Sequence, residues 1–125
     1  MKLLLDTHIY IWWLQDPGLL ADEARVAIAN PRNFVFVSAA SIIEIAIKQS
    51  SGKLKFDSPP ELQLEPCRFY ELPLTIAHAS ALRDLPPIHK DPFDRMLAAQ
   101  ARVEQLTLVT RDPIVRQYDV ASIAA

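Results

Sequence analysis

The 125-residue sequence contains only two glycines, and no GxGxxG or Walker-type loop is present. A glycine-rich backbone cradle for a nucleotide phosphate is therefore excluded. The single cysteine, Cys67, rules out an intramolecular disulfide framework and predicts a reducing, cytoplasmic setting. The three histidines and Cys67 are scattered along the chain, so no Cys/His cluster marks a zinc site. No apolar run approaches the roughly 20 residues that cross a bilayer. Met1-Lys2-Leu3-Leu4-Leu5 meets Asp6 too early to be a signal peptide, and no membrane association is predicted. Cationic excess is missing as well: the formal net charge is −2, which argues against electrostatic coating of nucleic acid. It does not exclude a small phosphate-handling site.

Half of the residues are hydrophobic and 22% are charged, an ordinary globular composition. The length predicts one domain over residues 1–125, large enough to bury a real core. Lys2 to Leu5 and Phe34 to Val37 read as buried strands. His8 to Leu14, stopped by Asp-Pro-Gly at 16–18, and Ala21 to Ala29 read as helices. Ser38 and Ser41 offer caps for a helix running to about Ser51, with Gly52 at its end. Lys53 to Phe56 is predicted extended, and Pro59-Pro60 opens a brief helix ending before Pro66. Phe69 to Leu72 and Leu106 to Val109 read as strands, and Thr75 to Leu85 as a helix capped by Thr75. A helical turn covers Ile114 to Tyr118, and Asp119 to Ile123 reads as an edge strand. Alternating strands and helices predict a three-layer α/β/α sandwich around a mostly parallel sheet.

The stretch from His89 to Ala101 carries the most chemistry. Asp91 before Pro92 reads as N-cap and first helical residue, with Asp94 in the first turn, where the helix dipole favours a carboxylate. Phe93, Met96, Leu97 and Ala101 follow at the spacing of a buried face. Asp6 ends the first strand and Asp112 follows the strand 106–109. In a parallel sheet both would lie at the carboxyl edge, where α/β proteins bind ligands. Glu44 sits among Ile42, Ile43, Ile45, Ala46 and Ile47, where an unpartnered carboxylate is costly, although an exposed i,i+4 pair with Lys48 is open to it. Each of Asp6, Asp94 and Asp112 also has a plain reading as a helix-start acid. Crowded together, the four would repel unless a hard divalent cation neutralised them. The matching chemistry is metal-assisted phosphodiester hydrolysis.

Four segments carry a resemblance: Leu-Leu-Leu-Asp6-Thr-His, Ser41-Ile-Ile-Glu44-Ile-Ala-Ile-Lys48, His89-x-Asp91-Pro-Phe-Asp94-Arg-Met-Leu-Ala-Ala-Gln100-Ala, and Leu108-Val-Thr110-Arg-Asp112. In order and over essentially the whole chain they resemble the motifs of the PIN-domain family, in the branch of VapC-like toxin ribonucleases. The resemblance implies Mg²⁺ or Mn²⁺ held by Asp6, Glu44, Asp94 and Asp112, with the Thr110 hydroxyl nearby. It implies endonucleolytic cleavage of RNA, a VapB-like antitoxin as partner, and a homodimer. Arg95 is expected to support the site by pairing with a neighbouring acid. Lys48, Lys90 and Arg111 are the predicted RNA contacts, with Lys53 and Lys55 further candidates. Trp12 and Trp13 are read as core or subunit-contact area, His8 as packed, and His89 as a loop-orienting residue.

Two other function classes fit parts of the pattern. A non-catalytic, receiver-like binding module would use its acids only as helix caps. A phosphatase with Asp6 as nucleophile would want an acid two positions on, where His8 stands instead.

Overall fold

The computed structural model describes residues 1–125. Its elements are β1 (Lys2–Leu5), α1 (Thr7–Gln15), α2 (Asp22–Ala29), β2 (Phe34–Ser38), α3 (Ala39–Ser50), α4 (Leu64–Cys67), β3 (Tyr70–Leu72), α5 (Ile76–Ala81), α6 (Pro92–Glu104), β4 (Thr107–Thr110) and β5 (Ser122–Ala124). Single 3₁₀ turns occupy Pro17–Leu19, Pro60–Leu62, Leu82–Asp84 and Val115–Gln117. The five strands form one sheet in the order β3-β2-β1-β4-β5, and every pairing is parallel.

That order follows from the connections. Parallel strands joined by right-handed crossovers place their helices on one face while the chain moves one way along the sheet, and on the other after it reverses. From β1 through β2 to β3 the chain moves outward, and Ile9, Tyr10, Ala24, Ile28 and Ile45 of α1, α2 and α3 pack on Leu3, Leu5, Val35, Val37 and Val109. From β3 it returns past β1 to β4, and Leu97 and Ala101 of α6 pack on Leu4, Leu72 and Leu108 of the opposite face. Strand alternation thus sends odd-numbered residues of β1 to one helical layer and Leu4 to the other. The reversal falls between β1 and β4, which pair through Leu4↔Leu108 and Leu5↔Val109.

Local starts and stops agree with residue chemistry. Ser38 caps α3 by accepting from the Ala40 N–H at 2.9 Å. Gly52, at φ +76, takes the left-handed conformation that lets the Lys53 N–H reach back to the Lys48 carbonyl. Asp91 caps α6 through the Phe93 and Asp94 N–H groups at 2.8 and 3.4 Å, with Pro92 in the first position.

Residues 53–56, expected extended, join no strand of the sheet. Three expectations are corrected. The helix expected to end before Pro66 includes it: Pro66 is the third residue of α4, where its missing N–H leaves no intrahelical bond unmade. The segment 75–85 breaks into α5 and a 3₁₀ turn. Ser41 caps nothing; it is fully buried and accepts a hydrogen bond from the Thr7 hydroxyl at 2.9 Å, tying α1 to α3.

Candidate active site

The crevice outside the strand ends at a topological switch point is where α/β sheets bind ligands. Here it lies between the ends of β1 and β4, and it opens a cleft of about 500 Å³ lined by Asp6, Glu44, Asp94 and Asp112 together with His8, His89, Trp12, Lys48 and Arg111.

Asp6 follows β1 directly and occupies the cap position of α1, yet its side chain makes no capping bond. It is 6% exposed and accepts the Thr110 hydroxyl at 2.6 Å. Burial pushes its carboxyl upward and Glu44 adds repulsion, while Thr110 and His8 oppose the rise. The Thr110 hydroxyl in turn accepts the Asp112 N–H at 3.1 Å, so one residue of β4 couples both strand-end acids.

Asp94, the third residue of α6, has its pKa pushed up to about 7, chiefly by burial and then by the charges of Asp6, Asp91 and Glu44, with His89 pulling the other way. Asp112 goes down. Burial would raise it, but the His89 side chain and the backbone N–H groups of Ile114 and Val115 outweigh that. Glu44, 8% exposed, accepts the Lys48 ammonium at 2.7 Å. The i,i+4 pair that the sequence allowed therefore forms, but on a buried carboxylate at the cleft wall rather than on an exposed face.

The tightest convergence is not among the four acids alone. His89 Nε2 lies 2.9 Å from Asp112 Oδ2 and 3.2 Å from Asp94 Oδ2. The ligand-capable atoms of these three residues all fall within 4.8 Å of one another. Contact with Asp112 raises the His89 pKa above the usual histidine value, although partial burial opposes it. His89 is the site residue that sequence reasoning missed, having been read as a loop-orienting side chain. Its one sequence signal was a histidine placed just ahead of an acid-capped helix start.

The remaining candidates separate clearly. Arg95 pairs with no acid. Its guanidinium donates to the carbonyls of Pro86 and Leu82 at 3.0 and 3.2 Å and to the Tyr118 hydroxyl at 3.3 Å, anchoring the loop ahead of α6. Tyr118 also accepts the His89 N–H at 2.9 Å, so Arg95 supports the site through that loop. Arg111 lies 4.4 Å over the Trp12 ring and donates to the carbonyls of Ala125 and Leu19, which fixes it in the cleft wall. Lys48 and Lys90 line an adjoining hollow beside Glu44 and Asp91. Lys53 and Lys55 are exposed and outside the cleft. Trp12 and Trp13 are both half-buried against the core, Trp13 beside Phe69, and Trp12 also lines the cleft together with the exposed His8.

A hard divalent cation suits this donor set. Two of the carboxylates, Asp6 and Asp94, are held toward their protonated forms chiefly by burial and then by neighbouring acids, and oxygen predominates among the donors. An α/β fold with acids gathered at its switch point has the donor set for a divalent ion in the place where such folds bind ligands. The chain belongs to the PIN-domain family, whose pattern matches residues 3–121. No curated protein sequence matches it. Among solved structures, VapBC2 of Rickettsia felis, bound to a fragment of promoter DNA, is similar at 15% identity and a TM-score of 0.74, covering 99% of this chain and 98% of that one. The DNA-bound VapBC of Salmonella typhimurium is similar at 17% identity and a TM-score of 0.69, with the same coverage. VapBC-1 of nontypeable Haemophilus influenzae is similar at 19% identity and a TM-score of 0.69, again over 99% and 98% of the two chains. At these identities the likeness is one of fold.

Proposed function

We propose that the chain is a divalent-metal-dependent endoribonuclease and the toxin of a toxin–antitoxin pair. The observation that carries the reading is the gathering of Asp6, Glu44, Asp94 and Asp112 around one cleft at the switch point of a PIN fold. The VapBC complexes of similar fold support an antitoxin of the VapB kind as partner. Exposed Ile43, Leu62 and Tyr70, which line an apolar groove beside β3, support contact with a protein, either the antitoxin or a second copy of the chain. No helix is long and apolar enough to cross a membrane, which suits action on RNA in the cytoplasm.

Asp6, Glu44, Asp94 and Asp112 would hold Mg²⁺ or Mn²⁺. A bound ion supplies Lewis-acid polarisation of a phosphate oxygen and a water acidic enough to attack at neutral pH. The protein's own part is orientation and charge. Thr110 fixes the Asp6 carboxylate, the α6 N-terminus presents Asp94, and Lys48 offsets the charge of Glu44 until the acids are otherwise neutralised. A binding module would spend its acids on helix caps; Asp91 does cap, but Asp6 and Glu44 do not, and Asp112 only accepts the Ile114 N–H within its own turn. The test is incubation of the purified chain with end-labelled single-stranded RNA in Mg²⁺, Mn²⁺ or chelator. Cleavage in either metal and none in chelator is expected; intact RNA despite measured Mn²⁺ binding would sink the proposal.

Two further outcomes follow from the same geometry. Thr110→Val keeps the shape of β4 and removes the donor on Asp6, so Mn²⁺ affinity at neutral pH falls by about 10- to 100-fold, the usual cost of losing a group that orients a metal ligand. Unchanged calorimetric affinity would refute that role. Metal binding also expels protons. Because the Asp94 pKa lies at about 7, roughly half of the ion-free molecules carry that proton at pH 7. Affinity accordingly weakens as pH falls through 7, and the apparent binding enthalpy at pH 7 varies with the ionisation heat of the buffer. Buffer-independent heats would contradict the raised pKa.

A further inference from the structure

We propose that His89 serves the cleft as a fixed hydrogen-bond donor and not as a metal ligand, so that any cation bound there is held through oxygen alone. The inference rests on the reading that a divalent ion occupies this site.

By residue type and distance His89 looks like a third ligand beside Asp94 and Asp112, since Nε2 points at both carboxylates. The other side of the ring decides otherwise. The Asp91 backbone N–H donates to His89 Nδ1 at 3.0 Å. A backbone amide can only donate, so Nδ1 presents its lone pair and the ring proton sits on Nε2. Nε2–H is then shared between Asp112 Oδ2 at 2.9 Å and Asp94 Oδ2 at 3.2 Å. Protonation of the ring adds a hydrogen at Nδ1 and removes none from Nε2, so neither charge state offers the cleft a nitrogen lone pair. The opposite tautomer would set Nδ1–H against the Asp91 N–H. That amide is not free to turn away, because Asp91 is the cap of α6 and holds the Phe93 and Asp94 N–H groups with its carboxylate. The backbone of His89 is pinned as well, its N–H donating to the Tyr118 hydroxyl. The ring therefore orients Asp112 and Asp94 while withholding the imidazole nitrogen that favours zinc over magnesium or manganese.

The tautomer is directly observable. Long-range ¹H–¹⁵N spectra of the full chain, ion-free and loaded with Mg²⁺ or Zn²⁺, are expected to show His89 Nε2 protonated in all three states. An Nδ1–H tautomer in the ion-free chain, or loss of the Nε2 proton on loading, would overturn the proposal. Calorimetry gives an independent reading. His89→Ala is expected to weaken Mn²⁺ and Zn²⁺ by a similar factor of about 10- to 100-fold, and His89→Gln, which returns an N–H near the Nε2 position, to recover most of both. A loss at least tenfold larger for Zn²⁺ than for Mn²⁺ marks a ligand and refutes the donor role, as does failure of glutamine to recover affinity. Wild-type chain that binds neither ion refutes the nuclease reading itself, and the ion-free tautomer still decides the state of His89.

Discussion

Asp94→Asn is expected to abolish metal-dependent RNA cleavage and, at the same time, to make the ion-free protein more stable. An ion that polarises phosphate and activates water supplies several kcal/mol of transition-state stabilisation, so losing the acid delivered by α6 should cost at least about 1000-fold in rate. The gain in stability comes from the same carboxylate. Its pKa is about 7 in the folded chain against 3.8 as the ordinary value. An acid whose pKa rises on folding destabilises the fold progressively as pH climbs from about 4 to about 7, and fully above that. The raised pKa bounds the penalty at roughly 4 kcal/mol. Asparagine also loses a carboxylate that the helix dipole favours, worth about 0.5 kcal/mol. A net gain of about 2 kcal/mol, or roughly 8 °C in Tm at pH 8, is the expected result. The gain should vanish near pH 4, where the wild-type side chain is already neutral. Retained cleavage would sink the assignment of Asp94 to the metal. Lost cleavage without the pH-dependent gain would show that burial and the neighbouring acids do not raise the Asp94 pKa in the ion-free state.

Gln100→Leu should produce the largest stability loss among the polar positions of the chain. Gln100 is fully buried on α6 and joins three elements. Its carbonyl accepts the Ser38 hydroxyl at 2.5 Å, and its amide faces the Pro73 carbonyl and His78 Nδ1, each at 3.3 Å. His78 is itself buried and reaches Glu104 at 2.8 Å through Nε2. Leucine approximates the volume but strands the buried Ser38 hydroxyl donor. A buried unpaired group of this kind costs about 1–3 kcal/mol, so a loss of about 2 kcal/mol and roughly 8 °C in Tm is expected. The same bond joins the helix that carries Glu44 to the helix that carries Asp94, because Ser38 caps α3. Weaker Mn²⁺ binding should accompany the lower Tm. A loss under about 1 kcal/mol, measured calorimetrically, would show that the network relaxes around the change.

The positions of Asp6, Asp94 and Asp112 could be read from the chain because each stands at a junction with a strong local signal: a strand followed by a carboxylate, or a proline-started helix. Glu44 was marked instead by being a carboxylate among isoleucines inside α3. The order of those strands then follows from crossover handedness, and the acids meet for topological reasons. His89 carried no such signal. Its chemistry depends on a carboxylate 23 residues away and on one backbone N–H, neither visible in composition or period. Arg95 misled for a related reason: its partners are carbonyl oxygens, which every residue possesses, so no acid nearby in sequence could reveal them. The two tryptophans show the limit of period reading in a short helix. Adjacent residues of α1 project about 100° apart, so both rings pack half-buried on the core while only Trp12 also reaches the cleft.

The hydroxyl bridge from Thr110 to Asp6 spans 104 residues of sequence. A chain emerging from the ribosome exposes Asp6 and Glu44 early, yet neither can join the other acids until β4 has been synthesised and has paired with β1. Closure over so long a loop is slow relative to local helix formation, and it also has to bring mutually repelling carboxylates together. A chain that ends before β4 lacks Thr110 and Asp112, so Asp6 has no hydroxyl to hold it and one wall of the cleft is absent. The site is complete only when the last fifth of the chain has joined the first strand.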